Sequence, residues 1–360
     1  MRHSRTLPLF SIGLLACLTA GVTHAQPVDC GVPPENDRNG DGLDDALVSP
    51  DAFVTDDSTI ECGAKVGAAA QIFYGAVVDF ESEVEAGARL SRSSLTFGST
   101  VRSGARVQSS SVDFFSEVRS GARVQDNSSV QSDSIIGEKA GVYGARIADS
   151  EIGAGSRVFF GAGITGATLG EGVTVFQGAT IQSDRGRDVV IGEGSIVGVN
   201  TELLGPLEIS PNALIGSNTQ FRGGFGFVGS NFKVGNDTVI FFGGDILGQV
   251  KIGSRVVLGA EHQVDSRVQI GSDTRIGTRV EIGEDSSVGS LAFIDDRVTI
   301  GMRTTVGYRA SISFGSTIGD DVVIGVGASI GESVQIGDGV SIAPGAVIPD
   351  GAVIGVHAGS

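Results

Sequence analysis

The chain has 360 residues, 56 of them glycine, with no tryptophan, 9 prolines, 40% hydrophobic residues and a formal net charge of −17 at pH 7. So glycine-rich and aromatic-poor a composition describes many tight turns around a thin aliphatic core, and it argues for one elongated domain over two globular ones. The acidic balance disfavours nucleic acid as a partner, suits divalent cations and keeps a long particle soluble.

Residues 1–25 carry Arg2 and Arg5, an apolar run from Leu7 to Val22, then Thr23-His24-Ala25 ahead of Gln26. A positive flank, a short apolar run and a small-residue cleavage site are the parts of a secretory signal peptide, and the run is short for a membrane span. Leu14-Leu15-Ala16-Cys17 resembles the lipobox of bacterial lipoproteins, so a lipid anchor on Cys17 is the alternative. Either route exports the chain, to the periplasm, the outer surface or the medium.

Residues 26–65 read as an N-terminal cap. Asp37, Asn39, Asp41 and Asp45 set oxygen ligands at alternate positions around glycines, and the backbone carbonyl of Leu43 completes a pattern that would wrap a hard cation, calcium above all. The stretch resembles the Asp-rich calcium loops of thrombospondin type 3 repeats and dockerins. It is not an EF-hand loop, since the twelfth position is Val48 and not a bidentate Glu; a solvated acidic turn is the other reading. Cys30 and Cys62 both lie outside the repeats, and in an oxidising compartment such a pair is expected as a disulfide closing about 30 residues, for ~3–4 kcal/mol.

Residues 66–190 repeat unevenly. Val101–Gln108 recurs identically at Val118–Gln125, with a relative at Val84–Ser91, so successive copies are 17 residues apart. That period aligns Phe80, Phe97 and Phe114, and then Tyr143, Phe159 and Phe176; aromatic columns in a solenoid are expected as packing. It also aligns Arg89, Arg106 and Arg123. With Glu83, Glu85 and Glu117 close in the repeat, a mutually neutralising surface network is expected there, in preference to a grip on an anionic polymer.

Residues 191–357 are more regular, and from Val234 to Ile354 every sixth residue is aliphatic. A period of six fits neither a 3.6-residue helix nor plain strand alternation, so a turn must recur every six residues. Gly commonly follows the aliphatic residue, as at Gly253, Gly271 and Gly289; a small or β-branched residue stands four places on, as at Val256, Thr274 and Ala292. Between them lies a corner position rich in Gly, Asp, Asn and Arg, the residues expected where φ turns positive. The register breaks at a four-residue insertion within Gln182–Val190 and at one extra residue between Phe227 and Val234.

These hexads resemble the hexapeptide-repeat superfamily. The resemblance implies an all-β left-handed parallel β-helix, a triangular solenoid with three hexads per coil and about 16 coils, capped at the N-terminus; at 4.7–4.9 Å per coil it would run on the order of 75 Å. Members of the superfamily are commonly acyltransferases or γ-class carbonic anhydrases. The segment from Ala179 to Gly205 is similar to the one that supplies three zinc-binding histidines in the second group. Carried over by position, those ligands fall on Gln182, Val199 and Leu204, so no zinc is expected. An acyltransferase needs a general base, and His262 is the only histidine in the body of the coils. It occupies the small-residue slot four after Leu258, where a merely tolerated histidine is the simpler account.

The expectation is therefore an exported, non-catalytic scaffold or surface interaction module, with a structural calcium ion and a protein or polysaccharide partner at the cell surface. A homo-oligomer, trimeric or joined end to end, stays open. The alternative is a hexapeptide-repeat enzyme, acyltransferase or carbonic anhydrase-like.

Overall fold

Two-residue strands separated by four-residue corners are what a six-residue aliphatic period demands, and the computed structural model of the chain has that geometry throughout. It describes residues 47–61, 63–183, 188–224 and 226–355. Cys30, Cys62 and the calcium-loop residues Asp37, Asn39, Asp41, Leu43 and Asp45 lie outside the described residues. Among those described there is no helix, and hence none long and apolar enough to cross a membrane. The strands form three parallel sheets in a β-solenoid of about 16 turns. Two compact units divide the chain, Met1–Thr165 and Gly166–Ser360.

In the first unit each sheet is a ladder of coils whose inward residue is aliphatic. Val66, Val84, Val101, Val118, Ile136 and Ile152 are successive register partners in sheet one. Ile72, Leu90, Val107, Val124, Val142 and Val158 play that part in sheet two. Val78, Leu95, Val112, Val130, Ile147 and Ile164 do so in sheet three. All are buried, and burying each such side chain stabilises the coil by ~1.5–3 kcal/mol. The 17-residue coils lose their residue at the corner between sheets two and three, where Leu90 and Leu95 are both inward.

Coiling begins earlier than the cap assignment of 26–65 anticipates. Strand Leu47–Val48 pairs with Lys65–Val66, and strand Thr59–Ile60 with Val77–Val78. Val48, Val54 and Ile60 already keep the six-residue spacing, hidden from inspection because few glycines accompany it.

The second unit is built alike. Between Val234 and Ile354 the partners are 18 residues apart, as in Ile246↔Val264 and Ile318↔Ile336. Corner residues Asp273, Asp285 and Asp321 have φ of 60°, 60° and 56°, as the turn chemistry anticipates. The glycine after the aliphatic residue has a separate cause: a Cβ on Gly289 would stand 2.6 Å from the backbone nitrogen of Tyr308 in the next coil. The extra residue is not between Phe227 and Val234. Leu203 pairs with Phe221 at 18 residues but Ile209 pairs with Val228 at 19, so it lies in the corner between Phe221 and Val228. Val228, not Phe227, is the inward residue of its strand.

The aromatic columns are a second correction. Phe80, Phe97 and Phe114 do not pack inside; each is about half exposed, and the Phe97 and Phe114 rings stack outside the coil at 4.8 Å and 5°. Left-handed backbone at Phe97 and Phe114, φ 50° and 53°, swings them out where strand alternation would point them in.

Candidate functional site

His262 follows the strand Val257–Leu258 and sits at the inner corner slot, 1% exposed. Its Nδ1 lies 2.7 Å from the carbonyl oxygen of Gly259. A carbonyl only accepts, so Nδ1 carries the proton and Nε2 holds the basic lone pair. That Nε2 is buried without a hydrogen-bond partner. The ring packs against Phe242 at 5.9 Å, and the His262 backbone lies so close to Gly244 that a Cβ there would collide with it. Burial pushes the imidazole below its ordinary pKa, against the opposing pull of the Gly259 hydrogen bond and the Asp245 charge. Hydroxyls in the same slot are better served: Ser316 donates to the Gly331 carbonyl and accepts from the Val334 amide.

Gln182 and Leu204 are register partners on the outside of one sheet, and Val199 lies at the corner before that strand. The fold thus sets Gln182 beside Leu204 and leaves Val199 at the other end of that strand. Only the Gln182 amide among them has a lone pair to offer, and aliphatic Val199 and Leu204 have none, so the donor set does not fit zinc. Among the described residues no group of three or more His, Cys, Asp or Glu converges on a point.

The paired acids at corners act as struts. Asp296 accepts from the Thr278 amide and Asp320 from the Met302 amide, each tying one coil to the next. Asp321 takes two hydrogen bonds from Arg303, at 2.7 and 2.8 Å, which holds its carboxyl below the usual carboxylate range. Arg255 with Asp273 and Arg267 with Asp285 repeat the arrangement.

The expected neutralising network in the first unit is not formed as read. Glu85 and Glu117 both turn to Arg102, at 2.6 and 2.8 Å, and Arg102 holds the Glu85 carboxyl below its ordinary pKa. Glu83 stands on sheet one between Lys65 and Thr100. Arg89, Arg106 and Arg123 are register partners on the outer face of sheet two and, among the described residues, have no ion pair. Sequence reading aligned these residues correctly but took closeness in the repeat for closeness in space. The six-residue spacing assigns consecutive strands to different sheets, so Glu83 stands on sheet one and Arg89 on sheet two.

Residues 315–350 match the family described as bacterial transferase hexapeptide (six repeats). Over that stretch the sequence is a hexapeptide repeat. The chain is similar to the UDP-N-acetylglucosamine acyltransferase of Francisella novicida at 16% identity, over 59% of this chain and 62% of that one, with a TM-score of 0.21. It therefore spans less than two thirds of that enzyme's length. For the Arabidopsis UDP-N-acetylglucosamine acyltransferase the figures are 14%, 71% and 72%, with a TM-score of 0.17. For the acetyltransferase domain of PglB from Neisseria gonorrhoeae they are 26%, 41% and 55%, with a TM-score of 0.13. No curated protein matches the chain.

Proposed function

We propose that the protein is an exported β-helical binding scaffold without catalysis of its own. The observation that carries this is His262: its basic nitrogen faces the packed interior between coils, so a proton from an acceptor bound at the surface has no path to it. Positions that could have held zinc carry side chains that do not coordinate it. Export rests on residues 1–25, with cleavage after Ala25 or lipidation at Cys17. A calcium ion on Asp37, Asn39, Asp41, Leu43 and Asp45, with a Cys30–Cys62 disulfide, would stiffen the N-terminal end. A homo-oligomer is compatible with this reading.

A second reading has its own support. The match of residues 315–350 to a transferase repeat favours an acyltransferase. Assay of the purified chain with acyl-CoA and acyl-carrier donors on amino-sugar acceptors separates the two. The scaffold reading expects no transfer above background, and turnover abolished by His262→Ala would establish the enzyme instead. Intact mass after cell fractionation distinguishes cleavage at Ala25 from a lipidated Cys17.

A further inference from the structure

We propose that the outer face of sheet two in the first unit, from Tyr74 to Tyr143, is a binding track for a linear anionic polysaccharide bearing uronate or sulfate groups. Its centre is the column Arg89–Arg106–Arg123, three exposed guanidiniums on adjacent strands. Parallel pairing sets them about 4.8 Å apart. Like charges directly opposite one another disfavour the sheet, and among the described residues no ion pair offsets them; the repeat acids Glu85 and Glu117 are held by Arg102. In the second unit, by contrast, Arg255, Arg267 and Arg303 each grip an aspartate one coil on. An unpaired column in a chain of net charge −17 is therefore a place where charge has been left for something else.

The neighbouring column points to sugar. Ser91 and Gln108 are register partners beside the arginines, Gln125 ends the next strand, and all three supply neutral donors and acceptors. Each end is aromatic. At one end Phe73, Tyr74, Arg89, Arg92, Arg106 and Gln108 are among the residues lining a groove of about 260 Å³, with the Arg92 guanidinium 5.5 Å from the centre of the Tyr74 ring. At the other, Gly141 occupies the arginine column between Arg123 and Arg157, and the Tyr143 ring crosses the space its missing side chain leaves. A Cβ on Gly141 would stand 2.6 Å from the Tyr143 hydroxyl oxygen. Phe159 backs that ring at 5.9 Å, close to parallel. Charged side chains in a row, amides alongside and flat rings at both ends match a polymer that alternates acidic groups with apolar sugar faces. Duplex nucleic acid, with one charge per about 1.7 Å, would meet the repulsion of the acidic chain, and its bases present no sugar face to the rings.

The track names the partner of the scaffold proposed above, and the two fail separately: acyl transfer would remove the scaffold reading alone, and absence of polymer binding the track alone. The test uses the full chain with polygalacturonate and heparin as probes, and with dextran and single-stranded DNA as comparators, by titration calorimetry at several salt concentrations. Expected are binding to the acidic polymers but not to dextran, a loss of at least ten-fold in affinity for R89Q/R106Q/R123Q with a shallower salt dependence, and a loss for Tyr143→Ala at unchanged salt dependence. Arg303→Gln, at a paired arginine, should bind as the parent does. Unchanged affinity in the triple variant, equal binding of dextran, or tighter binding of DNA would each overturn the proposal. So would a self-association of the parent that the triple variant abolishes. Circular dichroism melts of the variants check folding, and the single reversal Arg106→Glu, expected to weaken binding further than Arg106→Gln, reads the charge without three simultaneous changes.

Discussion

The imidazole of His262 donates its one N–H to the carbonyl oxygen of Gly259, 2.7 Å away, and its other nitrogen is buried with nothing to bond. Charging that ring means placing a cation in a desolvated slot, so the folded pKa lies below the unfolded one of about 6.5. Below that unfolded value the unfolded chain binds the extra proton, and stability falls as pH falls until the folded value is passed. His262→Val removes this dependence. Urea midpoints of parent and variant between pH 8 and pH 5 should diverge in the variant's favour as the solution is acidified; curves that run parallel would count against the buried neutral ring.

Arg303 and Asp321 form an exposed two-point ion pair between coils. The depressed Asp321 carboxyl contributes stability at neutral pH that is lost as pH falls through its folded pKa. Carboxyl-carbon NMR titration should show Asp321 ionising below free aspartate, with Arg303→Gln returning it toward the ordinary value. Because the pair is exposed, the accompanying change in melting temperature should be small and should fade in high salt.

Leu95 and Phe97 are two residues apart and predict opposite tolerances. Leu95 is wholly buried between Val78 and Val112, so Leu95→Ala should cost ~2–5 kcal/mol. Phe97 gives up only a surface stack on Phe114, and Phe97→Ala should cost no more than ~1.5 kcal/mol. Equilibrium denaturation of both variants checks the order, and comparable losses would contradict the outward placement of the ring.

Calcium at the Asp37–Asp45 loop would stabilise the folded chain by mass action. Adding EDTA should lower the melting temperature, excess calcium should restore it, and Asp41→Ala should make the melt insensitive to both. A melt that ignores EDTA removes the metal from the cap.

The lack of a zinc donor set at Gln182, Val199 and Leu204 is read from those three letters, since ligand identity needs no coordinates. The arginine track was legible only in part. A 17-residue repeat aligned Arg89, Arg106 and Arg123, but whether Glu85 and Glu117 neutralise them depends on which sheet each strand faces, and Arg102 settled that by taking both acids. The ring of Tyr143 over Gly141 gave no sequence signal at all, because the two are merely near neighbours until the backbone flattens into a strand.

The sequence by itself determined the coil: an aliphatic residue at every sixth place from Val234 to Ile354 admits no other regular backbone, and glycine, aspartate and arginine at the corners mark where φ turns positive. Tertiary structure alone decided what lies inside and outside at those corners. Phe97, expected to pack, was carried outward by a left-handed φ, and His262 was carried inward, its backbone pressed against Gly244 of the preceding coil. Periodicity fixes which residues stack from coil to coil, whereas the direction a corner side chain takes depends on one backbone angle and on the neighbours one turn away.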